Sequence, residues 1–238
     1  MLRPVITAVL ALHIAVPASF AAEVVVKNDS TLAGGPSTVA NFFLPGESTA
    51  SWLTATCNGD VVAMQVYWAS QFGGTPAQLE QALTLFAAGT FPTPGAALAT
   101  IPGPTLSDGV VNEFRFLDPP TNAVPLQVPV TSGQTFVVSL KFLNQSSGNP
   151  FAPSVTFDQD GCQAGANAVD ASPGGWSDAC VLGVTGDWVI RAVVDCAPAP
   201  AVPTLGWPAG VLVLLAALAA TGWAALRVRR GFDCERPA

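Results

Sequence analysis

Fourteen carboxylates and no histidine set the limits on chemistry in the stretch from Ala22 to Ala201. The chain's single histidine, His13, lies ahead of that stretch. Without imidazole there is no Ser-His-Asp or Cys-His activation of a nucleophile and no histidine-ligated zinc. Acid–base work would fall to paired carboxylates or to a lysine. A glycoside hydrolase needs two carboxylates roughly 5 to 10 Å apart across a cleft, and sequence spacing does not single out a pair. Asp158-Gln159-Asp160-Gly161 has alternate carboxylates, like the opening of a calcium loop, and Asp170, Asp178 and Asp187 follow nearby. The EF-hand pattern is incomplete, because Cys162 comes next and no glutamate closes a twelve-residue loop. The reading is aspartates that bond their own turns, with an irregular Ca²⁺ site at Asp158 and Asp160 as the alternative. No other cofactor is expected.

Aromatic side chains are the other chemical resource. Trp52, Tyr67, Trp68, Trp176 and Trp188 would stack on sugar rings if exposed. Trp68 and Trp188 fall within apolar strand patterns and read as core. Trp176 sits in Pro173-Gly174-Gly175-Trp176-Ser177-Asp178 and is the candidate ligand contact, against a role covering the nearby disulfide. Four basic residues (Lys27, Arg115, Lys141, Arg191) face the fourteen acidic ones, a formal charge of −10. That balance argues against nucleic acid as a partner.

The elements that must position these residues read as strands. Val61 to Ser70 alternates with period two, placing Val62, Met64, Val66 and Trp68 on one face. Thr135 to Leu143 does the same with Phe136, Val138, Leu140 and Phe142. Shorter strands are expected at Glu23–Lys27, Ser51–Thr56, Ala82–Ala87, Leu98–Ile101, Asn112–Leu117, Leu126–Val130, Ser154–Phe157 and Asp187–Asp195. Thr75, Pro76 and Gln78 have the chemistry of a helix start, so a helical turn is expected at Pro76–Glu80. Asp158 to Ala179 reads as a loop. Eight to ten short strands between Gly/Pro turns argue an all-β sandwich over residues 22–196. From Phe86 to Phe116 the order is a strand, Gly89, Pro94-Gly95, Leu98-Ala99, and Gly109-Val110-x-Asn112-x-Phe114. This resembles jelly-roll modules of bacterial surface proteins and implies a jelly-roll-like fold class.

Both ends of the chain read as targeting segments. Arg3, the apolar run from Val5 to Val16 and the small residues before Ala22 form a signal peptide over residues 1–21. Residues 197–205 are a Pro-rich spacer ending in a short motif. Gly206 to Leu226 carries no charge and would span about 30 Å as a helix. Trp207 and Trp223 lie near its ends, and Arg227, Arg229 and Arg230 begin a basic tail over residues 227–238 that stays in the cytoplasm. The order of Val202-Pro203-Thr204-Leu205, Trp207, apolar helix and arginines resembles the IPTL-CTERM type of C-terminal sorting signal. Val202 stands where that family has Ile, and Trp207 comes two residues after Leu205 where the family has three. The resemblance implies removal of the tail by an exosortase-like transpeptidase; the alternative is a permanent single-pass anchor.

Export also sets the redox compartment. Cys57, Cys162, Cys180 and Cys196 would meet oxidising conditions, while Cys234 falls in the cytoplasmic tail. Four cysteines allow three pairings; Cys57 with Cys196 and Cys162 with Cys180 is the one expected. The resulting picture is an exported cell-envelope protein that meets the secretion machinery, signal peptidase and membrane. Its role is non-catalytic: structural, adhesive or exopolysaccharide-binding. The alternatives are a carboxylate-based carbohydrate-active hydrolase and a calcium-stabilised adhesin module.

Overall fold

Alternating apolar residues between glycine and proline turns give the chain its strands. The computed structural model describes residues 22–31, 36–149 and 151–197. Among the described residues there is no helix, so none is long and apolar enough to cross a membrane. The signal peptide, the motif Val202–Leu205, Trp207, the apolar run 206–226 and Arg227, Arg229 and Arg230 lie outside the described residues.

The strands are β1 (Ala22–Val26), β2 (Thr38–Val39), β3 (Ser48–Thr54), β4 (Gly59–Ala69), β5 (Gln78–Leu79), β6 (Ala82–Ala87), β7 (Ala97–Pro102) and β8 (Thr105–Leu106). They continue as β9 (Val110–Phe114), β10 (Val128–Val130), β11 (Thr135–Lys141), β12 (Ser154–Phe157), β13 (Asn167–Ala171), β14 (Gly175–Asp178) and β15 (Ile190–Cys196). One sheet runs β1-β15-β4-β12-β2, with β9 and β10 also paired to β4; the other runs β14-β13-β3-β11-β6-β7. Their strand pairs are antiparallel. Strands far apart in sequence are neighbours, and the two inner faces make one sandwich-like core. From one sheet come Met64, Val66, Trp68, Val155, Ile190 and Val194; from the other, Leu53, Leu83, Leu85, Phe136, Val138 and Leu140. β11 is buried on both faces, because Val137 joins Trp52, Ala50 and Ala168 in a second cluster outside the main core.

Three sequence expectations need correction. Val62 does not share the inward face of Met64, Val66 and Trp68. The register slips at Val193/Val194, pairing them with Ala63 and Val61, so Val62 is the extra residue of a β-bulge. Beyond a bulge the inward parity changes, and Val61 takes the core position. Pro76–Glu80 is not a helical turn. Gln78 and Leu79 pair instead with Leu106 and Thr105, and the Glu80 carboxylate caps other backbone. Asp158–Ala179 is not all loop, since it holds the β13–β14 hairpin, turned at Ser172-Pro173-Gly174. Its register places β13 beside Ser48–Ser51 of β3.

The cysteines pair as expected. Cys57 joins Cys196, 139 residues apart, and Cys162 joins Cys180, 18 apart. Ala22 pairs with Cys196, so both ends of the described domain leave from one pole. Two disulfides fit an oxidising, extracytoplasmic compartment.

Candidate functional site: committed carboxylates and an uncharged groove

Asp158, the candidate calcium ligand paired in sequence with Asp160, meets Asp187 in a buried knot. Asp158 is 1 % exposed and Asp187 fully buried. One Asp158 oxygen accepts from the Ser30 N–H at 2.7 Å, and the other accepts from the Asp187 N–H at 2.8 Å. Asp187 accepts from the Gln163 N–H at 2.8 Å, from Gln163 Nε2 and from Asn167 Nδ2. Asn167 Oδ1 in turn accepts from the Trp188 N–H. Burial, reinforced by the neighbouring Asp158 charge, pushes the Asp187 carboxyl above its ordinary range. Beside the knot, Arg191 donates to both oxygens of Asp29 and to Thr31, in a pair buried on both sides. Asp160 is exposed two residues beyond Asp158. Both Asp158 oxygens accept from backbone donors. Among the described residues no group of three or more His, Cys, Asp or Glu is placed to hold a metal.

The buried Glu80 and Glu47 and the half-buried Asp108 are committed in the same way. Glu80 is fully buried and accepts from the N–H groups of Leu143 and Asn144 and from Asn144 Nδ2. Burial raises its pKa in spite of those bonds. Glu47 accepts from the N–H groups of Leu44 and Ser172. Asp108 accepts from the N–H and hydroxyl of both Ser70 and Thr75, which fixes the loop after β4. Burial raises the Asp108 pKa, but the Ser70 and Thr75 bonds outweigh it and hold the group below its ordinary range. A buried carboxylate that accepts several N–H bonds organises turns.

Trp176 lies on β14, not in an open loop. It packs edge-on against Trp52 with ring centroids 6.5 Å apart, and Trp52 meets Phe91 edge-on at 5.0 Å. Trp52 is anchored by its own Nε1–H to the Ala88 carbonyl. Trp68 and Trp188 are core, as expected. The most open aromatic rings are Phe72 and Phe151, 68 % and 63 % exposed and 5.2 Å apart. Sequence reading passed over both, since each stands alone in a glycine- or proline-flanked loop with no periodic pattern.

Next to Phe72 is a groove of about 550 Å³, lined by Thr38 and Val39 of β2, by Asn41, by Tyr67 and Ala69 of β4, and by Ser70 and Gln71. None of its lining residues is charged. Between β2 and β4 lies β12, whose Val155 and Phe157 face the core while Ser154 and Thr156 face outward. Ser154 is opposite Ala69 and Thr156 opposite Val39, two residues of the lining, but neither Ser154 nor Thr156 lines the groove itself. Both residues are fully buried, and neither hydroxyl has a hydrogen-bond partner among the described residues; Asn41 Oδ1 lacks one too. No protein-family model matches the chain, and neither a curated protein nor a solved structure matches it.

Proposed function

We propose that this is an exported cell-envelope protein with a non-catalytic role, structural, adhesive or exopolysaccharide-binding, delivered by a C-terminal sorting signal. Residues 1–21 serve as the signal peptide. Residues 206–226 hold the chain in the membrane until an exosortase-like transpeptidase acts at Val202–Leu205, which leaves the sandwich at the cell surface. The sandwich is of the jelly-roll-like kind, a reading supported by sheets that interleave early and late strands.

One observation carries the binding role over hydrolysis. The acids whose proton affinity is raised, Glu80 and Asp187, are fully buried and each accepts three hydrogen bonds, while the groove beside Tyr67 has no carboxylate in its lining. A two-carboxylate hydrolase needs its acids across an open cleft. The two disulfides and the acidic surface suit a domain that works outside the cell.

The test is the intact mass and C-terminal peptide map of the mature protein from its native host. A chain ending within Val202–Leu205 is the expected result. Recovery of the peptide through Cys234 would mean a permanent anchor and would sink the sorting reading.

A further inference from the structure

We propose that the groove between β2 and β4 binds a neutral polysaccharide, with Tyr67 inside it and the Phe72–Phe151 pair at its mouth as stacking surfaces. The inference rests on the binding role proposed above and gives it a site and a ligand class. A pyranose ring has an apolar C–H face and a rim of hydroxyls. It is recognised by flat aromatic surfaces flanked by uncharged donors and acceptors, and this groove has both. Tyr67 is part of the lining, and Gln71 leads directly to Phe72, whose ring lies 5.2 Å from that of Phe151. Thr38, Asn41 and Gln71 supply hydroxyl and amide groups.

Two independent observations support a ligand at this place. The first is polar supply beyond what the fold consumes. Asn41 is part of the lining, and its Oδ1 has no partner among the described residues. Buried polar groups are ordinarily paired, and an unpaired acceptor in the lining points to a hydroxylated occupant. The second is charge. In a domain carrying −10, the loop segments 40–46, 70–76 and 143–153 contain no charged residue. The nearest acid, Asp108, holds the Ser70–Thr75 loop and carries a negative charge. No cation in the lining would compensate a uronate or a sulfate, so the ligand is neutral. The groove's lip is also pre-formed, since Asp108 takes four hydrogen bonds from Ser70 and Thr75, which lowers the ordering cost of binding.

The experiment is calorimetric titration of the full chain, exported and purified in mild detergent. The probes are neutral hexasaccharides (cello-, malto- and mannohexaose), an alginate hexamer and phosphatidylcholine vesicles. The variants are Tyr67→Ala, the double variant Phe72→Ala/Phe151→Ala, Gln71→Ala and Trp176→Ala, each checked for an unchanged melting transition. Phe72, Phe151 and Gln71 are exposed, so their variants report on binding even if Tyr67→Ala fails to fold. The expected result is binding of at least one neutral hexasaccharide. Affinity should fall tenfold or more in the Tyr67 and double-Phe variants and stay unchanged in Trp176→Ala, with no alginate binding. Neutral-glycan binding that survives the Tyr67 and Phe variants would overturn the site and leave the binding role standing. Binding of alginate alone would overturn the ligand class and likewise leave that role. No glycan binding, with or without Phe-dependent capture by vesicles, would overturn both.

Discussion

Single carboxylates act as turn-makers in this domain, and two of them respond to pH in opposite directions. Glu80, pushed up by burial from an ordinary 4.5, stabilises the fold most when protonated. Its contribution is complete below that value and is lost as pH rises through the folded pKa. Asp108 is held below an ordinary 3.8 because the Ser70 and Thr75 bonds outweigh the effect of burial. Its contribution is present above that value and is lost as pH falls through the folded pKa. Melting temperatures between pH 2 and 8 should separate the two. The penalty of Asp108→Asn should open as pH rises out of the strongly acidic range. The penalty of Glu80→Gln should narrow as pH rises above about 4.5. Curves that stay parallel to wild type would end this account. None of these partnerships was legible in the sequence. Asp29 and Arg191 are 162 positions apart and Glu80 and Leu143 are 63 apart, and only the finished topology brings them together.

Among the elements, legibility followed periodicity. β4 and β11 could be read because their apolar residues alternate over seven or more positions, and Phe136, Val138, Leu140 and Phe142 are all fully buried as expected. The bulge at Val62 was hidden because inserting one residue leaves the local composition unchanged. The β13–β14 hairpin was hidden because Asn167-Ala168-Val169-Asp170 is weakly apolar and its partner strand is short. β13 is stabilised by pairing along the edge of β3, a tertiary effect that local preference does not contain. The groove was hidden for a related reason, since β2 has two residues and comes near β4 only through β12. Gly186 shows how tightly the elements close on the acidic knot. A Cβ there would run into the backbone carbonyl of Asp158 and press on its carboxylate. Gly186→Ala should therefore cost about 3 kcal/mol, in line with overpacking of a closed site. A urea midpoint shift worth less than about 1 kcal/mol would show that the turn yields.

At the scale of the whole molecule, the two disulfides have different reach. Closing loops of 139 and 18 residues constrains the unfolded chain by about 5 and about 3 kcal/mol respectively. Cys57→Ser/Cys196→Ser should therefore lower the melting temperature more than Cys162→Ser/Cys180→Ser in differential scanning calorimetry. The reverse order would show that the hairpin region limits unfolding. The pairing itself was legible, because one bond closes a local loop and the other joins an early strand to the last.

Cys196 is the final residue of β15, and the chain leaves the described domain one residue later, at Ala197. Through Cys57 it is bonded to the turn that feeds β4, the eleven-residue strand at whose far end Tyr67 and Ala69 line the groove. Mechanical tension applied at Ala197 would therefore bypass the ladder between β15 and its neighbours. It would pass through a covalent link into the central strand and travel along that strand to the opposite pole. Unzipping from the last strand is blocked at its first step, so a pull at the end of β15 is carried to the end of β4 where the groove lies.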